Sequence, residues 1–78
     1  MSQSVLPPIG SLWAAREYTE LRPERGGAWP HRGSPLAVRP GDLVLVVETD
    51  LPWLRVAVRG GIGWLFWGWL SRSADRVA

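Results

Sequence analysis

Residues 43–70, LVLVVETDLPWLRVAVRGGIGWLFWGWL, decide how this chain folds. Residues 43–48 are an apolar, largely β-branched run of strand length, which we expect to be buried on both faces. Residues 53–59 alternate between two kinds of side chain, as a half-buried strand does. Gly60-Gly61 is typical of a two-residue hairpin, and residues 62–66 then return as the next strand. The stretch therefore predicts consecutive antiparallel strands.

The alternation in residues 53–59 also predicts which side chains point outward. Leu54, Val56 and Val58 fall on one face, which we assign to the core. Trp53 then falls on the opposite face, although Trp is the largest apolar side chain available for burial. An outward Trp in so short a chain suggests a recognition role.

Outside this stretch the sequence is rich in turn signals. The pair Pro40-Gly41 within residues 39–42 (RPGD) has the residue order of a type II turn, and residues 49–52 (TDLP) supply another. Residues 11–18 (SLWAAREY) predict a first strand. Residues 19–35 contain three Pro, three Gly and three Arg, which indicates a long irregular loop.

Composition restricts the chemistry available to the chain. Its 78 residues include six Trp, nine Gly and seven Pro, with no Cys and a single His, His31. Its seven carboxylates are scattered along the chain. These residues are poorly suited to form a zinc site or a nucleophile–base pair. We therefore expect a non-enzymatic protein without catalytic residues, metal or cofactor. The formal net charge of +2 is small for a dedicated nucleic-acid binder.

The sequence predicts a single cytoplasmic domain that does not insert into membranes. Pro7-Pro8 interrupts the apolar stretch of an N-terminus that lacks the basic region of an export signal. The most hydrophobic segment, residues 62–70, is about half as long as a membrane-spanning helix. We place a flexible tail at residues 1–10, the domain at residues 11–71 and a polar C-terminal tail at residues 72–78.

A diverging turn, a Trp that opens a strand, a glycine hairpin and a Gly-Trp strand follow one another between residues 36 and 70. Their order and spacing resemble those of bacterial Src-homology-3-like (SH3-like) domains, and residues 19–35 fall where that family has its long first loop. The resemblance implies an all-β fold, a small five-stranded antiparallel SH3-like barrel. The residues that carry it are Val38-Arg39-Pro40-Gly41-Asp42, Trp53 with Val56, Gly60-Gly61, Gly63-Trp64-Leu65 and Trp69-Leu70.

The resemblance also implies a ligand groove beside the first loop. Its positions correspond here to Tyr18, Trp53 and Trp69, with Phe66 where eukaryotic members carry a proline. That replacement argues against the eukaryotic polyproline function. Trp67 has no counterpart with a fixed role in the family, but it lies within the same dense group of rings. The candidate ligand-binding residues are therefore Tyr18, Trp53, Phe66, Trp67 and Trp69.

Each ring also has a purely structural interpretation. Trp53 packs under the long loop in that interpretation, while Trp64, Trp67 and Trp69 pack on one another and on Arg stems. An exposed group of rings would equally serve as a homo-oligomer interface. Trp13 is assigned to the core.

Two residues of the predicted loop have simple assignments. Trp29 is interpreted as an anchor at the loop tip, and His31 as a solvated residue.

Four functions remain open from sequence. The first is a binding module that recognises a peptide or protein segment through an exposed aromatic groove. The alternatives are a small phage- or plasmid-encoded accessory or inhibitor protein that masks a host protein, a cell-wall peptidoglycan binder, and a nucleic-acid binder that uses Arg for phosphates and Trp for stacking.

Overall fold

The computed structural model describes residues 7–22 and 36–78. In these ranges the chain is built from β-strands and one short helix, in agreement with the predicted all-β class. The elements are β1 (Leu12–Ala15), β2 (Thr19–Glu20), β3 (Ala37–Val38), β4 (Leu43–Asp50), β5 (Trp53–Val58), β6 (Gly61–Phe66), α1 (Trp67–Ser73) and β7 (Ala74–Arg76).

Five strands form one antiparallel sheet in the order β6-β5-β4-β1-β7. Strands β4, β5 and β6 are consecutive hairpin partners, β1 adds to β4, and β7 adds to β1. Strands β2 and β3 form a separate two-stranded ladder. The sheet is antiparallel and five-stranded, as predicted, but one of its strands, β7, lies in the segment predicted to be a C-terminal tail. Within the described residues, however, β6 and β7 are the two edges of the sheet, so its hydrogen bonds do not close into a barrel.

The hairpin between β5 and β6 is confirmed, with a shift of one residue in its loop. Val58 pairs with Gly61, so the two loop residues are Arg59 and Gly60 rather than the Gly60-Gly61 pair. Either pair satisfies a two-residue hairpin and leaves Leu54 and Val56 facing the core; in the register that is formed, Leu54 pairs with Leu65.

The type II turn at Pro40-Gly41 is also confirmed. The Asp42 N–H donates to the Arg39 carbonyl at 2.9 Å, and Gly41 has a φ of 95°, which side chains other than glycine rarely adopt. The Asp42 carboxylate accepts a further hydrogen bond, at 2.9 Å, from the Arg39 N–H. This turn leads the chain directly from β3 into β4.

The core lies on one face of the five-stranded sheet. Of the side chains assigned to it from sequence, Trp13, Leu54 and Val56 are buried, whereas Val58 is partly buried and packs against the core. The other buried apolar residues come from alternate strand positions, the segment after β2, and the helix: Ala15, Leu21, Val38, Val44, Val46, Leu65, Leu70 and Ala74.

The prediction that the first central strand is buried on both faces is wrong. In β4, Val44 and Val46 are fully buried, whereas Leu43 and Leu45 are exposed. The difference arises because Leu21, Val38 and Leu70 pack onto only one side of the sheet. A run of apolar residues does not reveal whether a second layer will cover its other face.

The predicted C-terminal tail, residues 72–78, is instead largely structured. Helix α1 continues to Ser73, and β7 pairs with β1 from Ala74 to Arg76. The ladder continues to Val77, whose N–H donates to the Leu12 carbonyl at 2.8 Å. An edge strand can carry polar side chains, which is why the composition of this segment concealed it.

The N-terminal tail and the first loop are described only in part. Pro7 is buried, and the Gly10 N–H donates to the Val46 carbonyl at 2.7 Å, so the end of the predicted tail packs on the sheet. The loop expected at residues 19–35 begins with strand β2. Trp29 and His31 lie outside the described residues.

Candidate functional site

An open cleft of about 220 Å³ lies where the start of β5, the end of β6 and helix α1 meet. We call it the aromatic cleft. It is lined by Thr19, Arg22, Trp53, Trp64, Leu65, Phe66 and Trp69.

Trp53 and Phe66 form the centre of this cleft. They are direct register partners in the β5–β6 hairpin, and their rings make an edge-to-face contact with centroids 5.6 Å apart and planes at 68°. Phe66 remains 44% exposed. The pair therefore presents a rigid aromatic surface to solvent.

Helix α1 supplies the wall beside Phe66. A Cβ atom on Gly68 would lie only 2.4 Å from Cε2 of Phe66, so the ring rests directly on the backbone of the first helical turn. The Trp67 N–H donates to the Pro52 carbonyl at 2.8 Å, which joins the helix start to the β4–β5 turn. Trp69 then lines the cleft while packing partly on the core.

Arg22 supplies the opposite wall. Its guanidinium carbon lies 5.1 Å from the centroid of the Trp53 ring, a distance at which the cation is attracted to the face of the indole. Two backbone hydrogen bonds fix its position: the Arg22 N–H donates to the Trp64 carbonyl at 2.9 Å, and the Trp64 N–H donates to the Arg22 carbonyl at 2.8 Å.

Gly63 makes this close approach possible. A Cβ atom at Gly63 would lie 2.7 Å from Cβ of Leu21 and 3.3 Å from the carbonyl oxygen of Arg22. The missing side chain lets Leu21 enter the core and brings Arg22 over the ring of Trp53. One glycine on β6 thus determines the geometry of a residue far from it in sequence.

The charge around the cleft is mixed. Arg55 lies beside it, with its guanidinium carbon 6.0 Å from the Trp64 ring centroid and Nη1 3.6 Å from Oε1 of Glu48. Both members of this ion pair are about half exposed, so its contribution to stability is small. Its effect is to balance the positive charge next to the rings.

Tyr18 is not among the residues that line the cleft, although it directly precedes Thr19, which is. Its side chain is exposed, and Oη donates to Oε2 of Glu20 at 2.7 Å. This hydrogen bond to the carboxylate is the main cause that raises the pKa of Tyr18 above its ordinary value, with smaller contributions from desolvation and from the negative charge of Glu20.

The structure separates the predicted ligand-binding residues into two groups. Trp53, Phe66 and Trp69 line the aromatic cleft, whereas Tyr18 does not. Trp67 is not among the lining residues. Its ring packs edge-to-face on the core residue Trp13, with centroids 5.8 Å apart and planes at 79°.

Sequence reasoning did not assign Trp64 and Arg22 to the site. From sequence, Trp64 shares the face of Phe66, two residues away on one strand, but packing on neighbouring rings and Arg stems is an equal alternative. Arg22 reaches the cleft through tertiary pairing with β6, and no local pattern indicates that.

Comparison with protein-family models, curated proteins and solved structures gives no match to this chain. Across residues 7–22 and 36–78, no three His, Cys, Asp or Glu side chains are grouped so that they could hold a metal ion. In the same residues, no helix has both the length and the apolar character needed to cross a bilayer.

Proposed function

We propose that this chain is a non-enzymatic binding module of SH3-like fold that recognises a peptide or protein segment through the aromatic cleft. The observation that carries the proposal is the convergence of Trp53, Phe66 and Trp69, from β5, β6 and α1, around one open cleft with an exposed central ring.

The SH3-like part of the proposal is supported by the order of the elements. A first strand is followed by the β2–β3 ladder at the base of the predicted long loop, then by the type II turn and the β4–β5–β6 meander. This is the order that the sequence resemblance implies. The fold alone does not specify a ligand, so the function depends on the cleft.

The size and chemistry of the cleft favour an extended segment over a small molecule. Its volume of about 220 Å³ is below the roughly 300–1,000 Å³ of ordinary small-molecule pockets. Rings that are already in contact lose little conformational entropy when a ligand side chain packs on them. We therefore expect one or two apolar or aromatic ligand side chains to occupy the cleft.

The charge around the cleft also favours a peptide over a polyanion. Arg22 is the charged residue in the lining, and Arg55 beside the cleft is paired with Glu48. Nucleic-acid affinity depends on many cations that neutralise phosphates, and this arrangement supplies few.

The test is selection of binding peptides from a displayed random-peptide library, followed by calorimetric titration of the selected peptides. Phe66→Ala removes the exposed central ring, and we expect it to weaken binding by at least about tenfold, or about 1.4 kcal/mol. Ile9→Ala is the control, because Ile9 is an exposed apolar residue that is not among the residues lining the cleft. Circular dichroism would verify that both variants are folded.

Three outcomes would overturn the proposal. The first is that no peptide is selected, and the second is that the selected peptides bind Phe66→Ala as tightly as the original chain. The third is that a single-stranded oligonucleotide or purified peptidoglycan binds in a Phe66-dependent manner while peptides do not, which would assign the cleft to another ligand class.

A further inference from the structure

A row of aliphatic side chains crosses the outer face of the five-stranded sheet, opposite the core. Leu12 is the register partner of Leu45, Leu45 of Ala57, and Ala57 of Ile62. Val77 extends the row, because its N–H donates to the Leu12 carbonyl at 2.8 Å and continues the pairing of Trp13 with Arg76 by one residue. We call Ile62, Ala57, Leu45, Leu12 and Val77 the aliphatic row.

Three members of this row are exposed, and the other two, Leu12 and Ala57, are half-buried. Ile62, Val77 and Leu45 are 52%, 54% and 37% exposed. A depression of about 560 Å³ lies over the middle of the row, at Leu12, Leu45 and Ala57, and is also lined by Gly41, Asp42, Leu43, Val58 and Arg59. A contiguous aliphatic surface of this kind on a small domain marks an interaction site.

We propose that this face is where two copies of the chain associate, about a two-fold axis that lies between the sheets and runs along β4. Such an axis places β5 of one copy over β1 of the other, and β6 over β7. The aliphatic row of one copy then faces the aliphatic row of the other. The proposal concerns a different surface from the aromatic cleft and does not depend on the proposed function.

The sizes of the side chains in the row fit this axis. Ala57 on β5 is the small member of the row, and Leu12 is its counterpart on the other side of β4. The axis seats Leu12 of each copy over the depression at Ala57 of the other. It also places Ile62 over the partner's Val77 and Leu45 against the partner's Leu45. A large side chain thus meets a small one at the two Leu12–Ala57 contacts, and two leucines meet on the axis between them.

The charges in the neighbouring row fit the same axis. This neighbouring row contains Ala14, which pairs with Leu43 on one side and with Asp75 on the other. Leu45 pairs with Ala57, so two residues further along the same two strands Arg59 lies next to Leu43 and completes the row. Arg59 has no ion pair within the described residues. The axis brings it over the partner's Ala14 and towards the partner's Asp75. Oδ2 of Asp75 already lies 3.5 Å from Nε of Arg16 in the same chain, and both side chains are exposed. In the dimer, Arg59 of each copy would approach this ion pair of the other copy, so the contact would form twice.

The width of the face predicts a weak dimer. Five strands spaced about 4.8 Å apart give a surface roughly 19 Å across. A face of this size buries less area than the roughly 1,600 Å² of a standard complex. We therefore expect monomers in dilute solution and dimers at high protein concentration.

The test is sedimentation equilibrium of the chain over a range of concentrations up to millimolar. Leu45→Glu would place two carboxylates opposite each other on the axis, and we expect it to weaken association by more than about tenfold. Leu51→Glu is the matched control, because Leu51 is 43% exposed but lies in the β4–β5 turn, away from the row. It should associate like the original chain.

A charge exchange keeps the proposal testable even if Leu45→Glu fails to fold. Arg59→Asp and Asp75→Arg should each weaken association, and the double variant should restore it. The proposal is overturned if the original chain stays monomeric at millimolar concentration, if Leu45→Glu folds and leaves association unchanged, or if the double exchange fails to restore it. Loss of association in Phe66→Ala alone would assign the contact to the aromatic cleft and equally overturn it.

Discussion

The aromatic cleft and one end of the aliphatic row lie at opposite ends of the β5–β6 hairpin, on its outer face, yet they have different chemistry. Along the hairpin from the cleft to the row, the outward-facing cross-strand pairs are first Trp53–Phe66, then Arg55–Trp64 and finally Ala57–Ile62. The first pair lies between Arg22 and helix α1, whereas no described segment stands over the last. A small sheet thus acquires a cleft only where neighbouring segments form walls beside it, and elsewhere offers a broad face.

The largest effect is expected where a wall of the cleft is disturbed. Gly63→Ala introduces a Cβ atom 2.7 Å from Cβ of Leu21, which cannot move without displacing the backbone that carries Arg22. We expect a loss of about 1–3 kcal/mol in the free energy of unfolding, as for other overpacked sites. Chemical denaturation would measure it.

Gly60→Ala is the corresponding change at the aliphatic end of the same hairpin. Its new Cβ atom would meet only Cδ2 of Leu36, at 3.3 Å, and a terminal methyl group can move aside. We expect a change within about 0.5 kcal/mol, as at ordinary surface sites. Equal losses in the two variants would contradict the importance of the Leu21–Arg22 wall.

Gly68→Ala should affect the cleft without harming the fold. The new Cβ atom would lie 2.4 Å from Cε2 of Phe66, but this ring is half exposed and can rotate away. Alanine is also a better helix former than glycine by up to about 1 kcal/mol. We therefore expect unchanged or slightly higher thermal stability together with weaker binding of selected peptides. Peptide affinity equal to that of the original chain would show that the position of Phe66 is unimportant.

The smallest effect concerns the titration of Tyr18. Its pKa is raised chiefly by the hydrogen bond to Glu20, so Glu20→Gln should lower that pKa towards its ordinary value. Because the folded-state pKa is the higher one, the contact stabilises the fold below the unfolded-state pKa, and this contribution is lost as pH rises through the folded-state value. The difference appears only at alkaline pH, where absorbance of the phenolate would detect it. Identical titration of Tyr18 in both chains would contradict this contact.

The hairpin was predictable because two independent signals agree there. The alternation of Trp53, Leu54 and Val56 separates the faces with a period of two, and the glycines select a tight turn. Trp53 was therefore correctly expected to point away from the core. In β4 the same kind of reasoning failed, because Leu43 and Val44 are equally apolar and only the missing outer layer distinguishes their environments.

The remaining differences have tertiary causes. At Trp67 the chain changes from strand to helix, so the alternation that applies to Trp64 and Phe66 no longer predicts where a side chain points, and Trp67 turns towards Trp13. Arg22 reaches the cleft only because β6 pairs with it. Strand β7 is polar except for Ala74, and its pairing with β1 provides a backbone ladder that composition does not reveal.

Strand β1 lies between two partners, β4 and β7, that the chain contributes much later. The β4–β5–β6 meander needs only short turns, whereas the ladder between β1 and β7 joins residues at opposite ends of the described chain. Because distant contacts are delayed by the entropy of closing long loops, we expect the meander to form first. The sheet would then be completed in one late step, when β1 is enclosed between β4 and β7.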